Sequence, residues 1–469
     1  MTDAEVRPLI AVITGPTATV VNTTPIAAGS GALAPQRIAR SIEVEVDLGS
    51  AHPQIRGLKG STTLTLPAGS LIPLPVGTDV EPEQTFFADA SRLYEEIDAL
   101  ELDDDGVPFA LARQADFTHH RAGAPGGLPG ETPGVDYFAY GDGPHRSEPD
   151  FSALLRITNA VQVVADGPCT GIQWLEGTPV IEETLYWLGL LIDTRKPIVG
   201  QVAQRLHRSI SHDGPRNIAD GVRFIASGAW DASEPIGPVL VADGLVFSGR
   251  DVVKTAARPG GYSGGLYGPL ATIDAIERLG MHYLPTRRTL ASSELNVSAL
   301  PRRVRGLRGD VEITTTGDRP RLVESVQVAV DIVKYGRYEL SGSADPSGIE
   351  RRVEQLAQVA DLGGFVLEGL TQNGWATIGI ERALRAAHFS GMPVVWTGRG
   401  QPAGPGGLPP APFISAAGLP AQKARILLMA ALLRFGAAPS AADPIHPTDA
   451  ERAAIDEHTS MIQRVFDSH

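Results

Sequence analysis

The sequence predicts an α/β protein with a large N-terminal domain built on a mostly parallel sheet and a smaller C-terminal α/β domain. Residues 8–14 (PLIAVIT) form a short apolar run bounded by proline and glycine, which is typical of a buried parallel strand. Between 150 and 202, helix-like and strand-like segments alternate at the pitch of β-α-β units. The same alternation resumes after residue 325 and indicates a second sheet.

The individual elements follow from local patterns. Apolar residues at helical spacing predict a helix over 150–165, and a second helix over 182–192 is expected between strands at 172–175 and 197–202. In the second domain the expected strands are 326–333, 363–370 and 392–398, and the expected helices are 348–360, 378–389 and 421–435.

These patterns divide the chain into three parts. An N-terminal domain spans 1–300, a linker rich in arginine and polar residues spans 301–325, and the C-terminal domain spans 326–469. Residues 41–140 are less regular and carry Gly/Pro-rich loops, so we interpret them as an insertion in the first domain.

Composition and charge exclude several classes of partner. The 469 residues carry a formal net charge of −14, which disfavours binding to nucleic acid and to anionic membranes. No apolar run approaches the roughly 20 residues of a bilayer span, and the first residues lack the pattern of a secretory signal, so we expect a cytoplasmic protein. The single cysteine, Cys169, excludes an internal disulfide framework, and we expect neither a metal nor a cofactor.

Four short segments follow predicted strands or lie in loops, where α/β proteins place their active sites. They are TGPT (14–17), EGTPVIEET (176–184), SISHDGPRNIADGV (209–222) and SGRDVVKT (248–255). A threonine on a tight glycine turn could act as a nucleophile if a base stands beside it. Each segment also has a structural interpretation: a strand-end turn, a helix start with favourable carboxylates, or loop chemistry.

The lysine of the fourth segment is an unusual choice, because the chain has five lysines against 35 arginines. Arginine cannot give up its proton, whereas a desolvated lysine can lose one and act as a base. The alternative is an ordinary surface lysine.

Together, in this order, the segments resemble the bacterial L-asparaginase/glutaminase family of threonine-nucleophile amidohydrolases. TGPT corresponds to that family's TGGT, GTPVIEET to GTDTxEET, and GRDVVKT to GRDVxKT. KPIVGQVAQRLHRSISHDGPRN follows KPVVxxGAxRPxxxxSxDGPxN without gaps, and VQVAVDIV, NGWATIGIERAL, MPVVWTGRG and LPAQKARILLMAALL follow the family's C-terminal sequence. The resemblance covers about 8–35 and 150–440.

The resemblance implies an active site at the topological switch of the large domain and a homo-oligomer, a dimer or tetramer. It implies that Thr17 is the nucleophile and that Thr178 and Lys254 are the second threonine and the lysine of the catalytic core. Backbone N–H groups near Gly15 and Gly177 are then candidate oxyanion donors. The implied reaction is acyl transfer from a small-molecule amide to threonine, followed by hydrolysis.

The sequence also departs from the family where the family grips a charged amino acid. Pro179 replaces the aspartate after the second threonine, the carboxylate-binding serine aligns with Gly143, and the asparagine donated by a neighbouring subunit aligns with Trp375. Without partnered charges, a zwitterionic substrate would be desolvated at a cost of several kcal/mol.

We therefore expect a larger, less polar substrate, an aryl, alkyl or cyclic amide. Two alternatives stay open at this point: a genuine asparaginase/glutaminase with new recognition groups, and a non-catalytic ligand-binding relative.

Overall fold

The structure of the protein is a computed structural model. It describes seven strands between Leu9 and Arg121, and residues 151–469 except 206–210, 212, 231–235, 275–277, 288–292, 336–347, 371–373 and 401–408.

The described elements are numbered here in chain order. The strands are β1 (Leu9–Thr14), β2 (Gln36–Arg37), β3 (Ile42–Asp47), β4 (Gln54–Arg56), β5 (Thr63–Leu66), β6 (Leu71–Ile72), β7 (Asp116–Arg121), β8 (Gly171–Leu175), β9 (Ile198–Gln201), β10 (Val239–Ala242), β11 (Leu245–Ser248), β12 (Val253–Lys254), β13 (Tyr262–Ser263), β14 (Ala271–Ile273), β15 (Leu279–Met281), β16 (Arg303–Arg305), β17 (Asp310–Glu312), β18 (Val328–Lys334), β19 (Leu362–Gly369), β20 (Val394–Gly398) and β21 (Ile414–Ser415). The helices are α1 (Phe151–Asp166), α2 (Ile181–Leu191), α3 (Gly214–Ala226), α4 (Ile349–Val359), α5 (Ile378–Phe389), α6 (Ala421–Phe435) and α7 (Asp449–Ser468).

The main sheet has the strand order β15-β14-β11-β10-β9-β8-β1-β7. Its half from β10 to β7 is parallel, and β11, β14 and β15 continue it in antiparallel pairing. The predicted mostly parallel sheet is therefore confirmed. β7 belongs to the range interpreted as an insertion, yet it pairs with β1, so that range supplies one strand of the main sheet.

The core of the large domain lies on both faces of this sheet. Along β8, Ile172 and Trp174 pack in one apolar cluster together with α2, whereas Leu175 packs in another together with α3. Since successive side chains of a strand point to opposite faces, α2 and α3 cover opposite sides of the sheet. Glu182 and Glu183 in the first turn of α2 suit the positive end of the helix dipole.

The second sheet is parallel, with the strand order β18-β19-β20-β21, and α6 packs against both β18 and α2. The structure thus confirms a second α/β unit, and α6 joins it to the first. Residues 301–325, predicted as a linker, carry the β16–β17 hairpin, and Val304, Ile313 and Leu322 are buried in the core that includes α6. No helix among the described residues is long and apolar enough to cross a bilayer.

Gly221 provides a test of packing between α3 and the sheet. A Cβ atom at this position would collide with the buried carboxamide of Gln201. We expect Gly221→Ala to lower the free energy of unfolding by about 1–3 kcal/mol, because the buried carboxamides of Gln201 and Gln173 would both have to shift. Chemical denaturation measures this change. Gly379→Ala is the control, since a Cβ atom on this exposed first turn of α5 meets only a Thr377 oxygen at 3.9 Å. Equal effects for both variants would contradict the packing argument.

Candidate active site

The site is defined by the strand ends at the centre of the main sheet. β1 and β8 are neighbours in this sheet. The strand that follows β1 along the chain in this sheet is β7, on one side of the pair, whereas the strand that follows β8 is β9, on the opposite side. Such a reversal between adjacent parallel strands opens a crevice at their carboxyl ends, where α/β proteins bind ligands. The pairing aligns Thr14 of β1 with Leu175 of β8 and Leu175 with Gln201 of β9.

Thr178 lies in this crevice region, three residues beyond Leu175. After β8 the Glu176 N–H donates to the Gln201 carbonyl at 3.3 Å, and the chain then turns into α2. Gly177 and Thr178 are half-buried on this turn, whereas Pro179 is exposed. The Thr178 carbonyl accepts a hydrogen bond from the phenol of Tyr262 at 3.3 Å.

Lys254 is brought to the same place by the β12–β13 hairpin, which pairs it with Tyr262. Its backbone N–H donates to Glu182, and its Nζ lies 5.4 Å from the centre of the Tyr262 ring. Tyr262 therefore contacts both Thr178 and Lys254, although 84 and 8 residues separate them from it along the chain. Burial raises the pKa of the phenol, so Tyr262 remains a donor at neutral pH.

The electrostatics of Lys254 suit a proton acceptor. Desolvation lowers the pKa of its ammonium group, and the carboxylates of Asp213 and Glu182 act in the opposite direction. The side chain is half-buried, and its Nζ donates to the carboxamide oxygen of Gln204. Since desolvation is the larger influence, the neutral amine is reached at lower pH than in an exposed lysine.

The sequence analysis missed Gln204 and Asp213. Both Asp213 carboxylate oxygens accept the Gln204 N–H, at 3.0 and 3.1 Å, and one also accepts the Arg205 N–H at 2.8 Å. The DGP segment thus folds the loop after β9 back against α3. An aspartate before Gly-Pro indicates such a loop in the sequence. The residues that its carboxylate contacts depend on the tertiary structure.

The sequence analysis also did not predict that the carboxyl group of Glu176 is buried. Glu176 is 5% exposed and accepts hydrogen bonds from Trp174 Nε1 at 2.8 Å and Thr184 Oγ1 at 3.2 Å. Desolvation raises its pKa to about 7 despite these donors. A small cleft at the carboxyl ends of β8 and β9 is lined by Leu175, Glu176, Gln201, Val202, Ala203, Gly214 and Ile218.

The remaining predicted site residues are not part of this cluster as described. Trp375 follows β19, forms a bridge with Leu370 and is 68% exposed. Thr17, Gly15 and Gly143 lie outside the residues that the structure describes. In the described ranges, no group of three or more His, Cys, Asp or Glu side chains could hold a metal ion.

Comparison with known proteins finds similarity over the same region. Residues 147–283 match the family model described as Asparaginase, N-terminal. The chain is 34% identical over 125 residues to L-asparaginase 2 of Escherichia coli, covering 26% of this chain and 35% of that protein. It is 33% identical over 107 residues to L-asparaginase 2 of Bacillus subtilis, covering 23% and 28%. These alignments therefore span about a third of the curated relatives.

A solved structure extends the likeness beyond the aligned segment. The crystal structure of a probable cytoplasmic L-asparaginase from Campylobacter jejuni superposes with a TM-score of 0.51 and 23% identity, covering 69% of this chain and 82% of that one. At this identity the likeness concerns the fold.

Proposed function

We propose that this chain is a divergent member of the asparaginase family, whose N-terminal model residues 147–283 match, and that it is an amidohydrolase using a threonine acyl-enzyme. The observation that carries the proposal is the contact of Tyr262 with both Thr178 and Lys254 at the switch point of the sheet. Thr178 and a lysine of lowered pKa therefore contact the same tyrosine.

The strand pairing supports Thr17 as the nucleophile. Thr17 is three residues beyond Thr14, and Thr178 is three residues beyond its partner Leu175. Three residues extend the chain by at most about 10 Å, so Thr178 stays close to the edge at which β8 ends. Thr17 has the same sequence spacing from the end of β1. Gly15 and Gly177 precede them on each side and supply the candidate oxyanion N–H groups.

In the proposed reaction, neutral Lys254 accepts the hydroxyl proton as Thr17 Oγ1 attacks the amide carbonyl. The C–N bond then breaks as the Lys254 ammonium gives this proton to the leaving nitrogen, which restores the neutral amine. Water attacks the resulting ester, releases the acid and restores Thr17.

The proposed substrate is a neutral aryl, alkyl or cyclic amide. Pro179 offers no charge where a zwitterion would need one, and exposed Trp375 offers an aromatic surface. The exposure of Trp375 is also consistent with a role at a neighbouring subunit's site, so a homodimer or homotetramer is part of the proposal, as is a cytoplasmic location.

The test is product release by the purified protein from L-asparagine, L-glutamine and neutral primary, secondary and cyclic amides. We expect turnover confined to neutral amides. Ammonia release from asparagine at a comparable kcat/KM would instead favour a genuine asparaginase, the activity named for the curated relatives. Binding of a neutral amide with no turnover would favour a non-catalytic relative.

Lys254 gives a sharper kinetic prediction. We expect Lys254→Met to lower kcat by about 10²–10⁴-fold, because the variant loses the general base while keeping a side chain of similar length. Steady-state kinetics on the best amide of the panel measures the loss. Lys334→Met is the control, since this side chain is 61% exposed on the second sheet, where it pairs with Glu368. Unchanged kcat in Lys254→Met would contradict the role of Lys254.

A further inference from the structure

The hydrogen-bond partner of Lys254 Nζ comes from the loop after β9, not from the turn after β8 that carries Thr178. The Nζ donates to Oε1 of Gln204, in the loop that follows β9. Pro179, which follows Thr178, is exposed and has no side-chain acceptor. The group that orients the lysine is therefore an uncharged carboxamide.

The pairing of β8 with β9 brings Gln204 to the sheet edge that Thr178 follows. Leu175 of β8 pairs with Gln201 of β9, and Gln204 is three residues beyond Gln201, as Thr178 is beyond Leu175. Parallel strands in register deliver such positions to the same edge of the sheet. Gln204 thus belongs to the same crevice as the residues of the proposed core.

Asp213 fixes the backbone of Gln204. This carboxylate precedes α3 and makes no capping hydrogen bond to the helix; instead its oxygens accept the N–H groups of Gln204 and Arg205. Two charge-assisted hydrogen bonds hold the loop in one conformation and direct the Gln204 side chain. The carboxylate is thereby hydrogen-bonded to the backbone, and its charge also acts on Lys254.

We propose that Gln204, held by Asp213, is the positioning residue of Lys254, and this rests on the proposed function of Lys254 as proton acceptor. The carboxamide oxygen accepts one N–H of the neutral amine. The nitrogen lone pair is then free to accept the hydroxyl proton of Thr17. A carboxylate in the same position would orient the amine equally well but would favour the ammonium form, which cannot accept a proton.

The charged and titratable groups that face Lys254 come from three other elements. Glu182 approaches from α2, Asp213 from the start of α3 and Tyr262 from β13. The two carboxylates raise the pKa of Lys254, and desolvation lowers it by more. An uncharged residue at 204 preserves this balance, and a third carboxylate there would raise the pKa of Lys254.

The decisive experiment measures the pKa of Lys254 directly, with and without a charge at residue 204. The pH dependence of amine labelling by acetic anhydride, read peptide by peptide in a mass spectrometer, resolves the five lysines of the chain. In Gln204→Glu we expect the pKa of Lys254 to rise by about one unit or more, as for an opposite charge within contact distance. In Gln204→Met we expect no rise. Gln355→Glu on α4 is the matched control, because it adds the same charge at an exposed position.

The pH dependence of kcat is a second readout, and a purely structural role of Gln204 would not change it. Activity requires the neutral amine, so kcat rises with pH through the pKa of Lys254; in Gln204→Glu this rise should move to higher pH by the shift found in labelling. In Gln204→Met we expect kcat at the plateau to fall about ten- to a hundredfold with KM little changed, because the amine is no longer oriented.

The outcomes separate the two proposals. An unchanged labelling pKa in folded Gln204→Glu, or an equal shift in Gln355→Glu, would overturn the role of Gln204. A labelling shift without turnover of any amide by the unmodified protein would support the contact and reject the proposed function.

Discussion

Replacing Thr17 with alanine is expected to reduce amide turnover by at least about 10³-fold, the largest kinetic effect of any single substitution in this chain. The reason is that no covalent intermediate can form without the hydroxyl, and only binding and oxyanion stabilisation remain. Thr17→Ser should retain measurable activity, because serine supplies an oxygen at the same position. The measurement is kcat on the best neutral amide, with single-turnover mass spectrometry to detect acylation of residue 17.

Two comparisons make this result specific to the nucleophile. The melting temperature of Thr17→Ala should stay within about 2 °C of the unmodified protein, since the substitution removes one hydroxyl group and one methyl group only. Thr315→Ala, an exposed threonine near the β16–β17 hairpin, should leave turnover unchanged. Full activity in Thr17→Ala would mean that another group attacks the amide.

The fold was predictable where local patterns are strong. The bounds of α5 and α6 agree with the helical periodicity of 378–389 and 421–435, and β1 agrees with its apolar run. α7 was missed, although Thr448 and Glu451 form a capping box, because its outward residues are charged. β7 (DFTHHR) has no apolar run, and only its pairing with β1 makes it part of the sheet.

The candidate site was predictable only in the residues that carry recognisable motifs. Thr178 and Lys254 stand in such motifs, and the structure brings them together. Their connection through Tyr262 and the contact with Gln204 depend on strand pairings that join distant segments. A glutamine in a loop has no sequence signature of such a role. The raised pKa of Glu176 likewise follows from burial, which its neighbours in sequence do not reveal.

Replacing Lys423 with alanine is expected to lower the free energy of unfolding by about 3–5 kcal/mol, the largest effect on stability. This side chain of α6 is 1% exposed, and its Nζ donates to the carbonyls of Gly249 and Arg250 at 2.7 and 2.8 Å. Removal leaves a cavity and two buried carbonyls without their donor. The same contact fixes the segment that leads into Lys254, so the second sheet's helix supports the proposed active site. Urea denaturation measures the loss.

The pH dependence of stability tests whether Lys423 titrates in its buried position. Desolvation lowers the pKa of Lys423 to about 7 in the folded chain, while in the unfolded chain it keeps its ordinary value of 10.5. Between these values the unfolded state binds more protons, so Lys423 makes the free energy of unfolding rise with pH, and this gain is lost as pH falls to about 7. Lys423→Met fills the same space without a titrating group. From pH 7 to pH 9.5, the free energy of unfolding of the unmodified protein should therefore rise relative to that of Lys423→Met. A constant difference between the two proteins would contradict a desolvated lysine at this contact.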